Sequence, residues 1–178
     1  MTCIVAKVVD GIIHMAGDKL GSNGYTKTIS QRPKIFKNCD FIIGYTTSFR
    51  MGQLLEFTWS PPEKGENQTE DNYIYNTVVG SIKNILTSDG FAKDREGGEF
   101  LFGYNGKLYH MFNNFSIFEI EEYTSCGCGA DMAIATMYTL SNVNLVEDLS
   151  IEGQLSLAIE SASSVMTGVS VEYDYLTL

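Results

Sequence analysis

The pattern of apolar and polar residues over the first fifty positions predicts short β-strands joined by tight turns. Residues 3–9 are mostly apolar and β-branched, Asp10-Gly11 is a typical hairpin turn, and residues 11–17 return as the partner strand. Thr2 therefore heads a strand of an antiparallel hairpin, and Asp18 follows the end of the second strand. Further strands are predicted over residues 25–30, 34–37 and 41–47.

Apolar residues at three- and four-residue spacing predict helices further along the chain. The most regular series is Ile74, Val78, Ile82 and Leu86. It predicts a helix over residues 71–88, which Asp89-Gly90 would end. The other predicted helices cover residues 49–57, residues 130–140 and a segment that opens at residues 149–152 with Ser150 as its N-cap. Residues 60–68 and 91–98 are predicted to be loops.

A second block of strands lies between the two pairs of helices, and a last strand follows them. The block is predicted to be a meander, with strands over residues 99–104, 107–112, 116–120 and 122–126. The last strand is predicted over residues 168–176. Because each block of strands has an apolar face to cover, we predict an α+β fold: a four-layer αββα sandwich of two stacked antiparallel sheets, each flanked by a helix pair, in a single domain over residues 1–178.

Composition and charge narrow the classes of function. The chain has 178 residues, 44% of them hydrophobic, and a formal net charge of −10. Such an acidic protein is a poor ligand for nucleic acid or for anionic membranes, because binding to phosphates needs clustered Lys and Arg. No apolar run is long enough for a transmembrane helix, and the first residues do not have the pattern of a signal peptide. We therefore expect a cytoplasmic protein.

The cysteines and histidines do not form a pattern typical of metal sites. There are four Cys, at positions 3, 39, 126 and 128, and two His. Cys126-Gly127-Cys128 has no second Cys pair at zinc spacing. We expect free thiols in a reducing compartment, with no metal and no cofactor.

The first two residues carry a candidate nucleophile. If Met1 is removed, Thr2 has both a hydroxyl group and a free α-amine, whose unperturbed pKa of about 7.7–8.0 allows it to accept a proton near neutral pH. A threonine activated by its own amine is a recognised nucleophile. Taken alone this start is weak support for catalysis, since most N-terminal threonines have no catalytic role.

The support for catalysis becomes stronger when the start is taken together with two positions further along the chain, because all three match the pattern of a known family. The segments are Thr2-Cys3-Ile4-Val5, Ala16-Gly17-Asp18 and Lys34, with sixteen residues from Thr2 to Asp18 and sixteen more to Lys34. With them, the sequence resembles the proteasome β-subunit family of N-terminal nucleophile hydrolases, closest to the bacterial HslV-type peptidase. Gly127-Cys128-Gly129 resembles the family's Gly-Ser-Gly turn, and Thr167-Gly168 resembles its Ser-Gly. The resemblance covers almost the whole chain.

The resemblance implies a role for each matched residue. Thr2 Oγ would attack a peptide carbonyl, and its amine or a nearby water would take the proton. Lys34 would stabilise developing negative charge, and Asp18 would keep Lys34 charged and oriented. The backbone N–H of Thr47, where the family has Gly, would bind the oxyanion.

The resemblance also assigns the surroundings of the nucleophile. Cys128 and Thr167 would support the terminal amine. Tyr45, with Arg32 and Phe49 as neighbours, would line the pocket for the side chain before the scissile bond. The predicted function is a threonine endopeptidase that forms a homo-oligomeric ring, hydrolyses peptide bonds of unfolded proteins and is fed by an AAA+ unfoldase.

Departures from the family pattern leave alternatives open. Cys128 replaces a Ser and is a weak hydrogen-bond partner, Ser164 replaces an acidic residue, and Thr167 replaces a Ser. If Met1 is retained, the nitrogen of Thr2 is an amide without useful basicity. Activation is expected to rest on methionine aminopeptidase alone. The first alternative is a catalytically inactive assembly protein with the same fold, and a further one is an amidase for small substrates.

Overall fold

The computed structural model describes residues 1–88, 90, 97–142 and 149–178, and these residues build two antiparallel sheets with helices on the outer face of each. The strands are β1 (Ile4–Val9), β2 (Ile12–Asp18), β3 (Leu20–Ser22), β4 (Lys27–Ile29), β5 (Ile35–Asn38), β6 (Phe41–Tyr45), β7 (Phe100–Tyr104), β8 (Lys107–Met111), β9 (Ile117–Ile120), β10 (Tyr123–Cys126) and β11 (Tyr173–Thr177). The helices are α1 (Phe49–Phe57), α2 (residues 70–88), α3 (Ala130–Asn142) and α4 (Ile151–Val165). The predicted αββα sandwich is confirmed.

The two sheets have different strand orders. One sheet has the order β10-β1-β2-β11, and the other has the order β5-β6-β7-β8-β9. Strands β3 and β4 form a separate two-stranded hairpin. Asp10 and Gly11 take positive φ angles of 50° and 77°, which the tight turn between β1 and β2 requires. This turn places the end of β2 beside the start of β1, and so brings Asp18 near Thr2.

Apolar side chains fill three layers. Between the sheets, Ile4 and Met15 face Ile35 and Ile42, and all four are fully or almost fully buried. Helices α1 and α2 cover the five-stranded sheet, and α3 and α4 cover the four-stranded sheet. The predicted series on α2 is wholly buried: Ile74, Val78, Ile82 and Leu86 are all 0% exposed. Full burial of each such side chain stabilises the fold by about 1.5–3 kcal/mol before the entropy of ordering is counted.

The inner layer is thin where two strands have glycine. A Cβ atom on Gly44 of β6 would lie 2.5 Å from Ile4 Cγ2, and one on Gly103 of β7 would lie 2.5 Å from Ile13 Cδ1. Real Cβ atoms do not approach other atoms so closely. The backbone of the five-stranded sheet therefore lies directly against the side chains of β1 and β2.

The structure corrects the predicted meander. Strand β10 does not pair with β9; it crosses to the other sheet and pairs with β1, with Ile4 opposite Cys126 and Lys7 opposite Tyr123. The pattern of apolar residues shows which segments are strands, but it does not identify the partner of a strand, because the partner is far away in sequence. The crossover places the turn that follows β10 beside Thr2.

Smaller differences concern the ends of elements. Helix α2 begins at Glu70 and contains a π-helical segment, Tyr73–Val78, that the four-residue spacing did not indicate. The last strand is shorter than predicted and begins at Tyr173. Asp89 and residues 91–96, predicted as a helix stop and part of a loop, lie outside the described residues. Within the described ranges, no helix has the length and apolarity needed to cross a membrane.

Candidate active site

Thr2, Asp18 and Lys34 come together at one end of the sandwich. Thr2 precedes β1, Asp18 ends β2, and Lys34 precedes β5 of the other sheet. The three residues are buried, with exposed fractions of 5%, 0% and 2%. The antiparallel register of β1 and β2, in which Ile4 lies opposite Gly17, accounts for the approach of Thr2 and Asp18. The spacing of sixteen and sixteen residues therefore corresponds to a spatial cluster.

The cluster is a chain of hydrogen bonds that ends at the Thr2 hydroxyl. Lys34 Nζ donates to Thr2 Oγ1 at 3.2 Å and to Asp18 Oδ1 at 2.8 Å. The Lys34–Asp18 contact is also a buried ion pair, with side chains 2% and 0% exposed. Because a buried cation is costly without a partner, Asp18 is what allows Lys34 to lie beside Thr2.

The Asp18 carboxylate is held by backbone groups as well. Cys3 N donates to Oδ1 at 2.8 Å, and Leu20 N and Ser170 N donate to Oδ2 at 3.0 and 3.2 Å. Each donor comes from a different segment of the chain. Sequence reasoning missed Ser170, which carries no motif of its own; the only signal was its position two residues after the matched Thr167-Gly168.

Burial changes the acid–base properties of the cluster. Desolvation lowers the pKa of Lys34, while Asp18 acts against this shift by stabilising the ammonium form. As an ammonium group beside a hydroxyl group, Lys34 can stabilise negative charge that develops on the hydroxyl oxygen. Burial also raises the pKa of the neighbouring Cys3 thiol to about 12, so Cys3 stays a neutral packing residue.

Met1 occupies the side of Thr2 on which a free amine would lie. Thr2 Oγ1 donates to the carbonyl oxygen of Met1 at 2.5 Å, and Thr2 N, an amide here, donates to Cys128 Sγ at 3.3 Å. Cys128 Sγ in turn lies 3.7 Å from Gly168 O. With Met1 present, the Thr2 nitrogen cannot accept a proton, and the Thr2 hydroxyl group donates a hydrogen bond to the Met1 carbonyl oxygen.

Thr47, where the family pattern has Gly, takes a backbone conformation that glycine favours. Its φ angle is 57°, in the left-handed region, which is unusual for a β-branched residue and costs about 1–3 kcal/mol. Contacts with Glu99 compensate, since Glu99 N donates to Thr47 Oγ1 at 3.2 Å and Thr46 Oγ1 donates to Glu99 O at 2.7 Å. Strained backbone held in place by neighbours is common at functional sites.

A cleft of about 100 Å³ opens beside the cluster and is lined by Thr2, Leu20, Lys34, Tyr45, Thr47 and Phe49, among others. Tyr45 is buried, and desolvation raises its pKa to about 12. Its ring meets the half-exposed Phe49 ring edge-on, with centroids 6.3 Å apart. A Cβ atom on Gly52 would lie 2.3 Å from the Tyr45 ring, so this glycine in α1 makes room for Tyr45. The cleft combines aromatic walls with the polar cluster.

The remaining predicted residues lie further out. Arg32 is not among the described residues that line the cleft; its guanidinium pairs with Glu56 at 3.2 Å and lies 4.8 Å from the centre of the Phe57 ring. Thr167 is exposed, and it is the backbone of its neighbour Gly168 that meets Cys128. Ser164 is exposed and donates to Ser161 O at 2.8 Å.

Within the described part of the chain, no three His, Cys, Asp or Glu side chains gather in a way that could hold a metal ion.

Several solved structures superpose on this chain over nearly its full length. Thiobacillus denitrificans BPH, solved in complex with epoxomicin, superposes with a TM-score of 0.83 at 16% identity, over 99% of this chain and 97% of that one. Eukaryotic HslV from Trypanosoma brucei gives 0.71 at 15% identity, over 98% of both chains. An Anbu mutant from Hyphomicrobium sp. strain MC1 gives 0.70 at 15% identity, over 100% of this chain and 82% of that one. The chain shares the fold of these three proteins, which are proteasome-type N-terminal nucleophile hydrolases.

The resemblance noted in the sequence is thus confirmed in the fold, over nearly the full length of BPH and HslV. No protein-family model matches the sequence, and no curated protein matches it. At identities of 15–16%, the likeness to BPH and HslV is one of architecture, and activity has to be argued from the site.

Proposed function

We propose that this protein is a threonine peptidase that uses Thr2 as an N-terminal nucleophile once Met1 is removed. The observation that carries the proposal is the buried contact of Lys34 Nζ with both Thr2 Oγ1 and Asp18 Oδ1, at 3.2 and 2.8 Å. A lysine lying beside a hydroxyl group in a buried site is difficult to explain by stability alone, because burying a cation is costly.

The proposed reaction gives each of these groups one role. Thr2 Oγ attacks the carbonyl carbon of a peptide bond, and the hydroxyl proton passes to the Thr2 amine, directly or through a water. Lys34 stabilises the negative charge that develops, and Thr47 N–H donates to the oxyanion. The amine fragment leaves with the proton. Water then hydrolyses the ester on Thr2, which releases the acyl fragment as a carboxylic acid and restores the hydroxyl group.

The biological setting is proposed from the likeness in fold to BPH and HslV. We assign the protein to a homo-oligomeric ring that encloses its active sites and cleaves unfolded polypeptides, delivered by an AAA+ unfoldase in the cytoplasm. The aromatic walls formed by Tyr45 and Phe49 suit an apolar side chain before the scissile bond. Among the described residues that line the cleft, the one charged side chain is Lys34, and it is paired with Asp18.

A labelling experiment tests the proposal. Protein with and without Met1, distinguished by intact mass, is incubated with epoxomicin, the ligand of BPH, and with an unfolded protein substrate. The trimmed wild type should gain one inhibitor mass on Thr2 and should cleave the substrate. Thr2→Ala should do neither, and Thr2→Ser should keep part of both. Trimmed protein that neither reacts nor cleaves would overturn the proposal.

One observation favours a second function, that of a catalytically inactive assembly protein. Thr2 N lies against a sulfur atom, Cys128 Sγ, which is a weak hydrogen-bond partner, and Met1 blocks the amine. In that case the purified protein would keep Met1, form rings and fail to cleave peptides. Cleavage that is abolished by Thr2→Ala would exclude this function.

A further inference from the structure

Glu99 lies behind the cleft, at the point where three segments of the site meet. It directly precedes β7, in the sheet that carries Thr47. Its carboxylate is close to the turn Gly127-Cys128-Gly129, which follows β10 in the opposite sheet. No motif in the sequence indicated Glu99 or its partner His110, and the reaction proposed above does not use them.

The backbone of Glu99 holds the segment that carries the oxyanion donor. Thr46 N and Thr46 Oγ1 both donate to Glu99 O, at 3.2 and 2.7 Å, and Glu99 N donates to Thr47 Oγ1 at 3.2 Å. These three bonds fix both threonines from one side. They keep Thr47 in its left-handed conformation, so the orientation of the Thr47 N–H depends on where the backbone of Glu99 lies.

The side chain of Glu99 fixes that backbone to the rest of the protein. Its Oε1 lies 2.8 Å from Nε2 of the buried His110, and the His110 ring stacks on Phe112 with centroids 4.3 Å apart. The hydrogen bond with His110 is the main cause that lowers the pKa of Glu99; burial acts against it, and the nearby Gly127 backbone adds the smallest lowering. The two residues before Glu99 are glycines held by Asn113, since Gly97 N donates to Asn113 O at 2.7 Å and Gly98 N to Asn113 Oδ1 at 2.8 Å.

Gly127 completes the connection to the nucleophile. It has a φ angle of 94°, and a Cβ atom there would lie 2.3 Å from Thr2 O, which shows how closely this turn lies against Thr2. In the same turn, Gly129 N donates to Thr2 O at 3.3 Å. The Glu99 carboxylate thus lies near the turn that packs against Thr2, and the backbone of Glu99 bonds to Thr46 and Thr47.

We propose that Glu99, oriented by His110, is a positioning residue that sets the distance between Thr2 Oγ and the Thr47 N–H. This inference rests on the proposed function. Neither residue touches the substrate; both act through Thr47 and Gly127. A displacement of about 1 Å at a reacting centre is enough to lower a rate about 100-fold, so a support of this kind affects turnover without forming part of the cleft.

The test uses full-length protein from which Met1 has been removed. Glu99→Ala should lower kcat by about 10- to 100-fold while KM changes less than about twofold, because the oxyanion donor acts on the transition state and not on substrate binding. Glu99→Gln, which still accepts hydrogen bonds, should keep kcat within about threefold of wild type. The matched control Glu119→Gln removes a carboxylate from the same sheet, one that pairs with Lys107 away from the cleft, and should have no effect on kcat.

Crystal structures of the Ala and Gln variants provide a readout that does not depend on activity. Thr47 should leave the left-handed region in Glu99→Ala and remain there in Glu99→Gln. An unchanged Thr47 in Glu99→Ala, or a Gln variant as slow as the Ala variant, would overturn the inference. If trimmed wild type neither cleaves substrate nor reacts with epoxomicin, the proposed function fails by itself, and the conformation of Thr47 alone then decides whether Glu99 positions it.

Discussion

The two sides of Thr2 are built in different ways. On one side, Asp18 and Lys34 are fully buried, and the carboxylate receives a cation and three backbone N–H groups at 2.8–3.2 Å. On the other side, the Thr2 nitrogen meets an exposed thiol at 3.3 Å, and the thiol meets a carbonyl oxygen at 3.7 Å. The side fixed by strands is tightly bonded, whereas the side fixed by turns is weakly bonded.

This difference shows which part of the site can vary. The ion-pair side lies on β2 and at the start of β5, where a change disturbs the core. The amine side lies on a turn, where Cys128 stands in place of the family's Ser and the fold is intact. Of the departures from the family pattern, Cys128 is the one whose side chain contacts the Thr2 nitrogen.

The largest effect is expected from removal of the cation. In trimmed protein, Lys34→Ala should reduce kcat by about 10²–10⁴-fold, because the group that assists proton transfer and stabilises charge is gone. Single-turnover cleavage of a labelled peptide measures this. Activity within threefold of wild type would mean that the buried contact with Thr2 Oγ1 has no catalytic role.

Removal of the anion should act mainly on stability. Asp18→Ala leaves three backbone N–H groups without their acceptor and the buried Lys34 ammonium without its counter-ion, and should lower the free energy of unfolding by about 3–5 kcal/mol in urea titrations. The control is Glu119→Ala, which breaks an ion pair with Lys107 whose side chains are 38% and 41% exposed, and should cost less than about 1 kcal/mol. Equal losses in the two variants would contradict the contrast between a buried and a solvated ion pair.

The dependence of cleavage on pH tests whether activity needs the Lys34 ammonium group. Because burial lowers the pKa of Lys34 from its ordinary value of 10.5, the ammonium is lost at a lower pH than in a solvated lysine. Activity that needs the cation should decline as the pH rises through that lowered pKa, and Lys34→Arg should move the decline to higher pH, since guanidinium stays charged. A profile of kcat/KM against pH measures the shift; an identical alkaline limb in both proteins would assign it to another group.

The ionisation of Lys34 should affect stability in the opposite direction: as the pH rises, activity should fall but the free energy of unfolding should increase. A base whose pKa is lower in the folded state binds fewer protons there than in the unfolded chain. Lys34 therefore weakens folding below its folded pKa, and this penalty is relieved as the pH rises towards the unfolded value.

On the amine side, a small gain is expected. Cys128→Ser should raise kcat about two- to tenfold in trimmed protein, because a hydroxyl group forms a stronger hydrogen bond with the Thr2 amine than a thiol does, by about 0.5–1.5 kcal/mol. Steady-state peptide cleavage measures the change, with Cys39→Ser, at the exposed turn between β5 and β6, as the control. A loss of activity in Cys128→Ser would show that the thiol has a role of its own.

The smallest effects are expected at the outer residues. Thr167→Ala and Arg32→Ala should change kcat/KM less than about twofold, because one side chain is exposed and the other is committed to an exposed ion pair with Glu56. The same cleavage assay applies. A tenfold rise in KM for Arg32→Ala would place the guanidinium on the substrate after all.

Features that depend on nearby residues could be predicted from the sequence. The turn at Asp10-Gly11, the helix over residues 49–57 and the buried face of α2 all follow from local spacing, and the structure confirms them. The grouping of Thr2, Asp18 and Lys34 also followed, because a known family has the same spacing. Each of these needs only one stretch of chain, or a pattern already recognised.

Features that depend on pairing between distant segments could not be predicted. The move of β10 to the other sheet, the bond from Ser170 to Asp18 and the link from Glu99 to His110 and Gly127 each join residues whose types are unremarkable alone. Arg32 shows the converse: alignment placed it near Tyr45, but an acidic residue on the next helix, Glu56, holds its side chain outside the cleft. Competition between partners is decided by the folded arrangement.

The two glycines of the inner layer have a consequence for the chemistry. Gly44 lies three residues before Thr47, and the side chain it contacts, Ile4, lies two residues after Thr2. Even a methyl group at position 44 would push the two sheets apart at the end that holds Thr2 and Thr47. The absence of a side chain deep in the sandwich therefore sets the spacing between the hydroxyl group that we propose attacks and the N–H that we propose binds the oxyanion.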